Sequence, residues 1–281
     1  MKALDLTEVH NYSLGCLLYF DKICRKYNLK YSLAYGSLIG AIRHQGFIPW
    51  DDDVDVMMLR TDYQKLEKLF LTGTEKDPVY CFINENSDNQ YYYLMGRICD
   101  KRTKIKFFDN RKDVDSMGVF IDIYPLDYSL KNSAAELFYR KTYHILNVLI
   151  DIANFKDIQG VKSICSKSSF FVLYVMLYYI CKLIGSRWLF LISNFTKKIH
   201  DMLTFDKNLV IDYWDNNTYK DRCIYNSDMF KNLIDINFEN EKIQVISCYD
   251  KVLTQIYGNY MKLPPEEDRT TTRHSYIAYT R

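Results

Sequence analysis

The sequence predicts an α+β fold, in which helices flank a mixed sheet and a second, mostly helical lobe follows. In the first half of the 281-residue chain, short stretches with strand character alternate with helical patterns. From Ser133 to about Leu203 the chain is instead rich in Leu, Ile, Tyr and Phe at helical spacing. Its 10 glycines and 5 prolines mark no linker. We therefore expect a core over residues 1–130 and, packed on it, a helical lobe with a C-terminal segment over residues 131–281.

The first elements follow from apolar periodicity and turn residues. Residues 6–27 carry apolar side chains at helical spacing, which predicts a leading helix. The segment YSLAYG, 31–36, has strand character, and SLIGAIRHQ, 37–45, predicts a short helix with Ser37 as its N-cap. Gly and Pro in GFIPW interrupt this pattern, and DDDVDVMML, 51–59, predicts a strand that begins acidic and ends apolar.

Shorter elements follow the acidic strand. Apolar spacing after Arg60 predicts a helix that ends near Gly73. Strand character then recurs in VYCFIN, YYYLMGRIC, KIKFF and MGVFIDIYPL. Beyond the helical lobe, short elements around CIYN and FEN precede a predicted helix, ISCYDKVLTQIYG, and an irregular tail, NYMKLPPEEDR.

Charge and cysteine usage exclude several classes of protein. Lys and Arg total 37 against 35 Asp and Glu, and a net charge of +2 without a basic stripe argues against a nucleic-acid partner. Any phosphate binding must therefore be local. The 8 cysteines are scattered without a CxxC pair, which favours reduced thiols over disulfides or structural zinc. The N-terminus lacks the basic start and apolar stretch of a secretory signal, so we expect a cytoplasmic protein.

The most apolar segment is SSFFVLYVMLYYIC, from Ser168 to Cys181. It is short for a bilayer span, which needs about 20 residues. A buried core helix and a helix in the membrane interface both remain open, the second because Tyr suits the headgroup region. We therefore expect a protein that can associate with the inner face of the membrane through a peripheral contact over residues 168–196.

The densest chemical signal is the acidic start of the predicted strand over residues 51–59. Alternate side chains of a strand share a face, so Asp51, Asp53 and Asp55 are expected on one side. Three carboxylates on one face repel one another unless a cation lies among them. Mg²⁺ takes oxygen ligands and is often held by one or two carboxylates together with substrate phosphates. The alternative is a solvated acidic turn, which the apolar continuation VMML disfavours.

A further carboxylate, Asp122, lies in the apolar context of VFIDIYPL. An ionised Asp among such residues needs a metal, a charged partner or hydrogen-bond donors. If this strand lies beside the acidic strand, Asp122 becomes a third ligand that completes a two-metal site. The structural alternative is an Asp that pairs with a nearby Arg or caps a turn.

Gly36 and Ser37 lie where a predicted strand gives way to a helix, so backbone N–H groups there can hold a phosphate. A Gly-Ser pair alone is a weak signal. Followed about 16 residues later by the DxD motif of Asp53 and Asp55, and then by Asp122 on a later strand, it is the pattern of the nucleotidyltransferase fold, a polymerase-β-like mixed sheet. Residues 1–130 are accordingly predicted to form a nucleotidyltransferase-like catalytic core.

The run YGSLIGAIRHQGFIPWDDDVDVMMLRTDYQKL, 35–66, resembles the signature of the LicD family, phosphocholine and related phosphotransferases that include the fukutin-related proteins. VFIDIYPLD, 119–127, resembles the second acidic strand of the family, and YGNYMKLPPEEDR, 257–269, its C-terminal block. The region from about 130 to 235 resembles the family only in its general composition and helical pattern. Family members often carry a His pair after the Pro-Pro block, where this chain has His274 followed by Ser275.

The resemblance implies an enzyme that transfers a phospho-alcohol, foremost phosphocholine, from a CDP-linked donor to a hydroxyl of a cell-surface glycan or glycolipid, releasing CMP. Lipopolysaccharide, teichoic acid and capsule are acceptors of this type. Asp53 and Asp55 would hold one Mg²⁺ or Mn²⁺ ion on the donor phosphates, and Asp122 would share a second that activates the acceptor hydroxyl. Asp53, Asp55 and Asp122 are thus the predicted catalytic residues and metal ligands.

Cationic side chains near the acidic strand are candidates for binding the donor phosphates. Arg43 and His44 come just ahead of it, and Arg can bind a phosphate through two N–H groups. Arg97, in YYYLMGRICD, is a further candidate. With Gly36 and Ser37 these residues form the predicted donor-binding set. The alternative for each is a structural or solvated role.

Two other classes of function remain open on the sequence. A DxD glycosyltransferase would hold a nucleotide-sugar through a metal on Asp53 and Asp55, but it would leave Gly36-Ser37 and Asp122 unexplained. A non-catalytic metal-binding protein of the same family is the second alternative. An EF-hand is disfavoured because Val56 and Asp62 stand where its loop requires Gly and Glu.

Overall fold

The computed structural model describes residues 1–165, 171–214, 220–270 and 276–281. The elements of the first half are, in order, α1 (Leu6–Lys26), β1 (Tyr31–Leu33), α2 (Tyr35–Ile39), a π-helix (Gly40–His44), β2 (Asp55–Leu59), α3 (Arg60–Leu71), β3 (Tyr80–Ile83), β4 (Gly96–Asp100), β5 (Thr103–Phe107) and β6 (Phe120–Leu130).

The second half begins with four helices: α4 (Ser133–Ala153), α5 (Ile158–Cys165), α6 (Phe171–Ile184) and α7 (Ser186–Asp201). Smaller elements follow, namely β7 (Phe205–Ile211), a 3-10 helix (Lys220–Cys223), β8 (Ile224–Asn226), a second 3-10 helix (Ser227–Phe230), β9 (Leu233–Phe238), β10 (Glu241–Ile246), α8 (Tyr249–Tyr257), a 3-10 turn (Glu266–Asp268) and β11 (Tyr276–Thr280). The predicted α+β class, with a mixed sheet and helices, is confirmed.

The sheet that carries the acidic residues is mixed. Its strands lie in the order β1-β2-β6-β4-β3, and β7 and β8 extend it from β6. Strands β2 and β6 run parallel, with Asp55 directly opposite Asp122, whereas β1–β2, β4–β6 and β3–β4 pair antiparallel. The two acidic strands are therefore neighbours, which is the condition on which the predicted role of Asp122 depended.

The alternation of side chains on β2 and β6 decides where their carboxylates lie. Val56 and Met58 pack with Ile121 and Ile123 in one core, which α1 and the β9–β10 hairpin also line. Met57 packs in the second core, together with Phe120 and Tyr124. Because successive side chains of a strand face opposite sides, Asp55 and Asp122 share the face of this second core.

Two local predictions around this sheet are wrong. The strand predicted over residues 51–59 begins only at Asp55, because Asp51 donates its N–H to the Ile48 carbonyl and accepts a bond from His10 at its own carbonyl. The short helix begins at Tyr35 with Ala34 as N-cap, so Ser37 lies inside its first turn. The following residues form a π-helix that ends at Gln45, which adopts a left-handed φ of 59°.

Later segments of the chain return to the sheets of the first half. Strand β7 pairs with the end of β6, and β11 pairs with β5. A buried ion pair of 2.6 Å between Arg60 and Asp127 joins the start of α3 to β6. The thiols of seven cysteines are free, namely Cys16, Cys24, Cys81, Cys99, Cys181, Cys223 and Cys248.

The helices of the second half are amphipathic or apolar. Within the described residues, no single helix is both long and apolar enough to cross a bilayer; Val172–Ile184 and Ser186–Met202 reach that length and composition only as a pair, bent by 90°. Of the predicted membrane contact over residues 168–196, positions 168–170 lie outside the described residues.

Candidate functional site

Asp51, Asp53 and Asp55 line one cavity of about 600 Å³. Its floor and walls come from α2, the π-helix, the segment before β2 and the C-terminal block after α8. It is lined by Tyr35, Gly36, Ile39, Arg43, Ile48, Trp50, Asp51, Asp53, Asp55, Tyr124, Tyr257, Asn259, Tyr260, Lys262, Leu263, Pro264 and Pro265. Its volume is in the range of small-molecule sites.

The carboxylates of the acidic segment lie close enough to share a cation. Oxygens of Asp51, Asp52 and Asp53 lie within 4.8 Å of one another, the one such group of three found in the described residues. Ligands that are all carboxylate oxygens suit a hard divalent cation such as Mg²⁺ or Mn²⁺. The segment therefore fits a metal, through Asp51 and Asp52 as well as the predicted Asp53.

Gly36 is required by the close approach of this segment. A Cβ atom built on Gly36 would lie 2.7 Å from Oδ2 of Asp51, which is shorter than any normal contact. The preceding residue, Tyr35, has a left-handed φ of 45°, an uncommon conformation for an aromatic residue. Its hydroxyl donates to Oδ2 of the buried Asp212 at 2.5 Å. The backbone is thus held tightly where α2 meets the carboxylates.

Ser37 connects α2 to the start of β2. Its hydroxyl accepts a hydrogen bond from the backbone N–H of Asp55 at 2.8 Å, and it does not line the cavity. The Asp55 carbonyl in turn accepts from Ala34 N–H at 2.9 Å. Ser37 therefore positions Asp55, the first residue of β2.

Asp122 lies beside Asp55 and forms an ion pair with Arg97. Arg97 Nε donates to Oδ1 of Asp122 at 2.5 Å and Nη2 to Oδ2 at 3.4 Å, and both side chains are buried. The guanidinium lies over the rings of Phe120 and Tyr93, at 3.8 and 4.1 Å from their centroids. Burial alone would lower the pKa of Arg97, but the attraction of Asp122 outweighs it and holds that pKa well above its usual value. Arg97, which the sequence predicted to bind phosphate, is thus paired with Asp122 in the structure.

Arg43 and His44 lie at the end of the π-helix. Arg43 lines the cavity, and it donates through Nη1 to the Tyr260 carbonyl at 2.7 Å and through Nε to His44 at 2.9 Å. Desolvation and the nearby Arg269 lower the pKa of Arg43. Desolvation and Arg43 likewise lower the pKa of His44, which stacks edge-on against Trp50. His44 is not among the lining residues.

The C-terminal block supplies part of the cavity wall. Lys262 lines the cavity, and the Arg269 guanidinium lies over the Trp50 ring at 5.6 Å. Cationic groups and carboxylates thus border the same cavity. An anionic ligand that also carries a divalent cation complements such a distribution of charge.

The predicted residues fall into three positions. Gly36, Arg43, Asp53 and Asp55 line the cavity together. Ser37 and His44 do not line the cavity, but they accept hydrogen bonds from Asp55 and Arg43, which do. Asp122 and Arg97 form the ion pair beside Asp55. His274 lies outside the described residues.

Sequence reasoning did not assign a role to several residues of the site. It placed Asp51 on the acidic face without naming it a ligand, and it gave no role to Asp52, which completes the carboxylate group, or to Lys262, which lines the cavity. Tyr276 donates from its hydroxyl to the Asp52 carbonyl at 3.3 Å, and desolvation, with Asp52 and Asp53, raises the pKa of Tyr276 well above its usual value. For Lys262 a signal was present, since the block 257–269 already resembled a family motif.

Together, the fold and the cavity define an α+β protein with a cavity lined by carboxylates and by cationic side chains. The family model described as LicD/FKTN/FKRP, nucleotidyltransferase domain, matches residues 28–145. The chain is 33% identical over 276 residues to the lipopolysaccharide cholinephosphotransferase LicD of Haemophilus influenzae, covering 96% of each chain. It is also 30% identical over 128 residues to an uncharacterized protein of Rickettsia typhi, covering 45% of this chain and 37% of that one. The chain belongs to the LicD family, as its motifs predicted.

Proposed function

We propose that this protein transfers phosphocholine from CDP-choline to a hydroxyl of a lipopolysaccharide-type glycan, and that its sheet and flanking helices form a nucleotidyltransferase fold. The observation that carries the proposal is the single cavity that Asp51, Asp53 and Asp55 line together with the cationic side chains of Arg43 and Lys262. The name of the Haemophilus influenzae relative, lipopolysaccharide cholinephosphotransferase, supports the choice of phosphocholine and of the acceptor.

We propose that the two phosphates of a CDP-linked donor bind in this cavity, where carboxylates and cationic side chains lie together. Asp53 and Asp55, together with Asp51 and with Asp122 beside them, are the proposed ligands of Mg²⁺ or Mn²⁺. When bound, a divalent cation neutralises charge on the phosphates and lowers the pKa of a coordinated hydroxyl. Arg43 and Lys262 are also proposed to bind phosphate oxygens. Together these contacts orient the donor and keep its β-phosphorus accessible to the acceptor.

In the proposed reaction the acceptor hydroxyl oxygen attacks the β-phosphorus of the donor. A new P–O bond to the glycan forms, the P–O bond to the bridging oxygen breaks, and CMP leaves with that oxygen. The hydroxyl proton passes to a carboxylate. We propose Asp55 for this role because it lines the cavity, whereas Arg97 occupies two of the lone-pair positions of Asp122.

The aromatic lining of the cavity is suited to the choline group. Five aromatic residues border it, namely Tyr35, Trp50, Tyr124, Tyr257 and Tyr260. A quaternary ammonium is attracted to the faces of such rings, by about 0.5–2 kcal/mol each. Ribitol and glycerol carry no cation and would gain nothing from this attraction. The proposal therefore predicts a preference for CDP-choline over CDP-ribitol and CDP-glycerol.

The test is CMP release from CDP-choline, CDP-ribitol and CDP-glycerol, and UMP or UDP release from UDP-glucose, each with Mg²⁺ or Mn²⁺ and a lipopolysaccharide acceptor. We expect metal-dependent CMP release from CDP-choline. Asp53→Asn and Asp55→Asn should reduce the rate at least about 100-fold, because each removes a negative ligand oxygen.

Asp228→Asn is the matched control. Its carboxylate forms an exposed pair with Lys231, so the same chemical change should leave the rate within about twofold. Nucleotide release from UDP-glucose alone would identify a glycosyltransferase instead. Folded protein without metal-dependent turnover of any donor would favour a non-catalytic family member.

A further inference from the structure

Helices α6 and α7 leave a large apolar surface uncovered. Its members are side chains at least 42% exposed: Val172, Leu173, Met176, Tyr179, Ile180, Leu183, Ile184, Trp188, Leu191, Ile192, Phe195, Ile199, Met202 and Leu203. Leu183 is 88% exposed and Trp188 63%. We refer to this set as the α6–α7 surface. Isolated exposed apolar residues are ordinary, but a contiguous group of this size marks an interaction site.

The other side of the two helices is already used for packing. Tyr178, Cys181 and Leu189 are buried against the second core. Both helices contact α4 through this side. The exposed residues therefore lie on the faces of α6 and α7 that point away from the core. No described part of the chain packs against these faces.

The geometry of the pair suits a helix hairpin that lies on a bilayer. The two helices meet at 90°, and the residue between them, Gly185, has a φ of 81°. An L residue rarely adopts this φ, so Gly185 permits the sharp turn. No atom lies within 4 Å of the position that a Cβ would occupy there, so the constraint is conformational rather than steric. The turn places Leu183 and Trp188 near the corner of the bent pair.

The charges of α6 and α7 are mostly cationic, with Lys182, Arg187, Lys197 and Lys198 against the exposed Asp201 at the end of α7. Between Asp157 and Asp201 the chain contains no Asp or Glu, but it contains six cations, Lys162, Lys167, Lys182, Arg187, Lys197 and Lys198. Arg187 and Lys198 are exposed in α7. Lys182, by contrast, donates to the carbonyl of the buried Phe155 on the packed side. Exposed cations beside an apolar helix face, such as Arg187 and Lys198, are typical of interfacial helices on anionic lipid, and each contributes about 1 kcal/mol. A second copy would bring like charges together, which disfavours self-association.

We propose that the α6–α7 surface docks this protein on an anionic lipid bilayer, with Leu183, Trp188 and Phe195 inserted at the boundary of headgroups and acyl chains. The inference does not rest on the proposed phosphotransfer. Three features favour lipid as the partner of the α6–α7 surface: its apolar area, the bend between the helices and the excess of cations.

The test uses the full chain with vesicles of phosphatidylglycerol and phosphatidylcholine, or of phosphatidylcholine alone. We expect co-sedimentation with the anionic vesicles, weaker binding to neutral ones, and a blue shift of Trp188 emission that Trp188→Phe removes. Leu183→Asp should weaken binding at least about tenfold, because burial of a Leu side chain contributes about 1.5–3 kcal/mol.

Leu71→Asp is the matched control, since Leu71 is 50% exposed at the end of α3, outside the surface. It should bind vesicles within about twofold of the wild type. Both variants should keep the circular dichroism and thermal unfolding of the wild type, because both positions are exposed. The proposal is overturned if the wild type fails to bind anionic vesicles. It is also overturned if Leu71→Asp lowers vesicle binding as much as Leu183→Asp does. A dimer in solution that Leu183→Asp converts to monomer would overturn it too.

Discussion

Arg97 and Asp122 form a buried pair between β4 and β6 in which each side chain compensates the charge of the other. The exposed fractions are only 5% and 6%. Two charges at this depth cost several kcal/mol of desolvation each, which their mutual attraction must offset. The pair also fixes the orientation of the carboxylate that stands opposite Asp55.

Arg97→Met tests this pairing. The substitution leaves the Asp122 charge buried without its partner, so we expect the free energy of unfolding in urea to fall by about 3–5 kcal/mol. Arg97→Met combined with Asp122→Leu removes both charges and should recover most of that loss. A single variant within about 1 kcal/mol of the wild type would show that the pair is not a structural requirement.

Gly36→Ala tests the close approach to the carboxylates. The added methyl would displace the Asp51 carboxylate from 2.7 Å, so Mn²⁺ affinity, measured by electron paramagnetic resonance, should fall about tenfold or more. Gly36 lies in α2, and Ala is the better helix former by about 1 kcal/mol, so thermal stability should not fall in parallel. Unchanged Mn²⁺ affinity would contradict the proposed metal site.

At this scale the sequence located the carboxylates but not all of their partners. The DxD pattern located the acidic segment because it lies within a short stretch of sequence, whereas the approach of Asp122 depends on the pairing of β2 with β6. The bond from Arg97 to Asp122 depends on the register between β4 and β6, and composition does not specify register. The predicted roles in metal and phosphate binding stay predictions.

Among the elements, the β9–β10 hairpin supports the segment that precedes the carboxylates. Glu239 and Asn240 form its tip with φ values of 49° and 66°. Glu239 N–H donates to the Gln45 carbonyl at 3.0 Å, and its Oε1 accepts from Phe47 N–H at 3.0 Å. The turn from the π-helix into the acidic segment is therefore held by a side chain far away in the sequence.

Glu239→Ala removes the acceptor of Phe47 N–H and should lower the free energy of unfolding by about 1–3 kcal/mol. Hydrogen exchange in peptides covering residues 45–55 should rise. Glu239→Gln keeps an acceptor oxygen at the same length and is the matched control, expected to stay close to the wild type. Equal exchange in both variants would mean that the hairpin tip does not hold this turn.

Element type was predictable where periodicity is long. The helices α1 and α3 begin and end within a residue or two of their predicted limits. The helix after β1 was placed two residues late because Tyr35 enters it at a φ of 45°, which no propensity scale favours for Tyr. The start of β2 was placed too early because the backbone of Asp51 does not pair with a neighbouring strand. Its N–H donates to the Ile48 carbonyl, and its carbonyl accepts from His10.

Across the whole molecule, the half-buried Glu85 makes stability depend on pH. Burial raises the pKa of Glu85 to about 7, from a usual value of 4.5. A carboxyl that binds its proton more tightly in the folded state stabilises the fold at low pH, and this contribution is lost as pH rises from about 4.5 through about 7. The loss is about 2 kcal/mol once partial solvation is allowed for.

Glu85→Gln mimics the protonated form and should not show this loss. We expect the free energy of unfolding of the variant, relative to the wild type, to increase by about 2 kcal/mol between pH 5 and pH 8. Glu241→Gln, at an exposed position of β10, is the control and should show no such trend. A difference that does not change with pH would place the Glu85 carboxyl in water.

The parallel pairing of β2 with β6 also has a consequence for how the protein folds. The Asp51, Asp52 and Asp53 group is local in sequence, although His10 and Tyr276 bind its backbone from distant parts of the chain. The approach of Asp55 to Asp122 is non-local, since α3 and three strands lie between the two residues along the chain. Closing such a crossover costs chain entropy before any contact compensates it, which slows folding. We therefore expect the complete site to form late in folding, once β2 and β6 have paired.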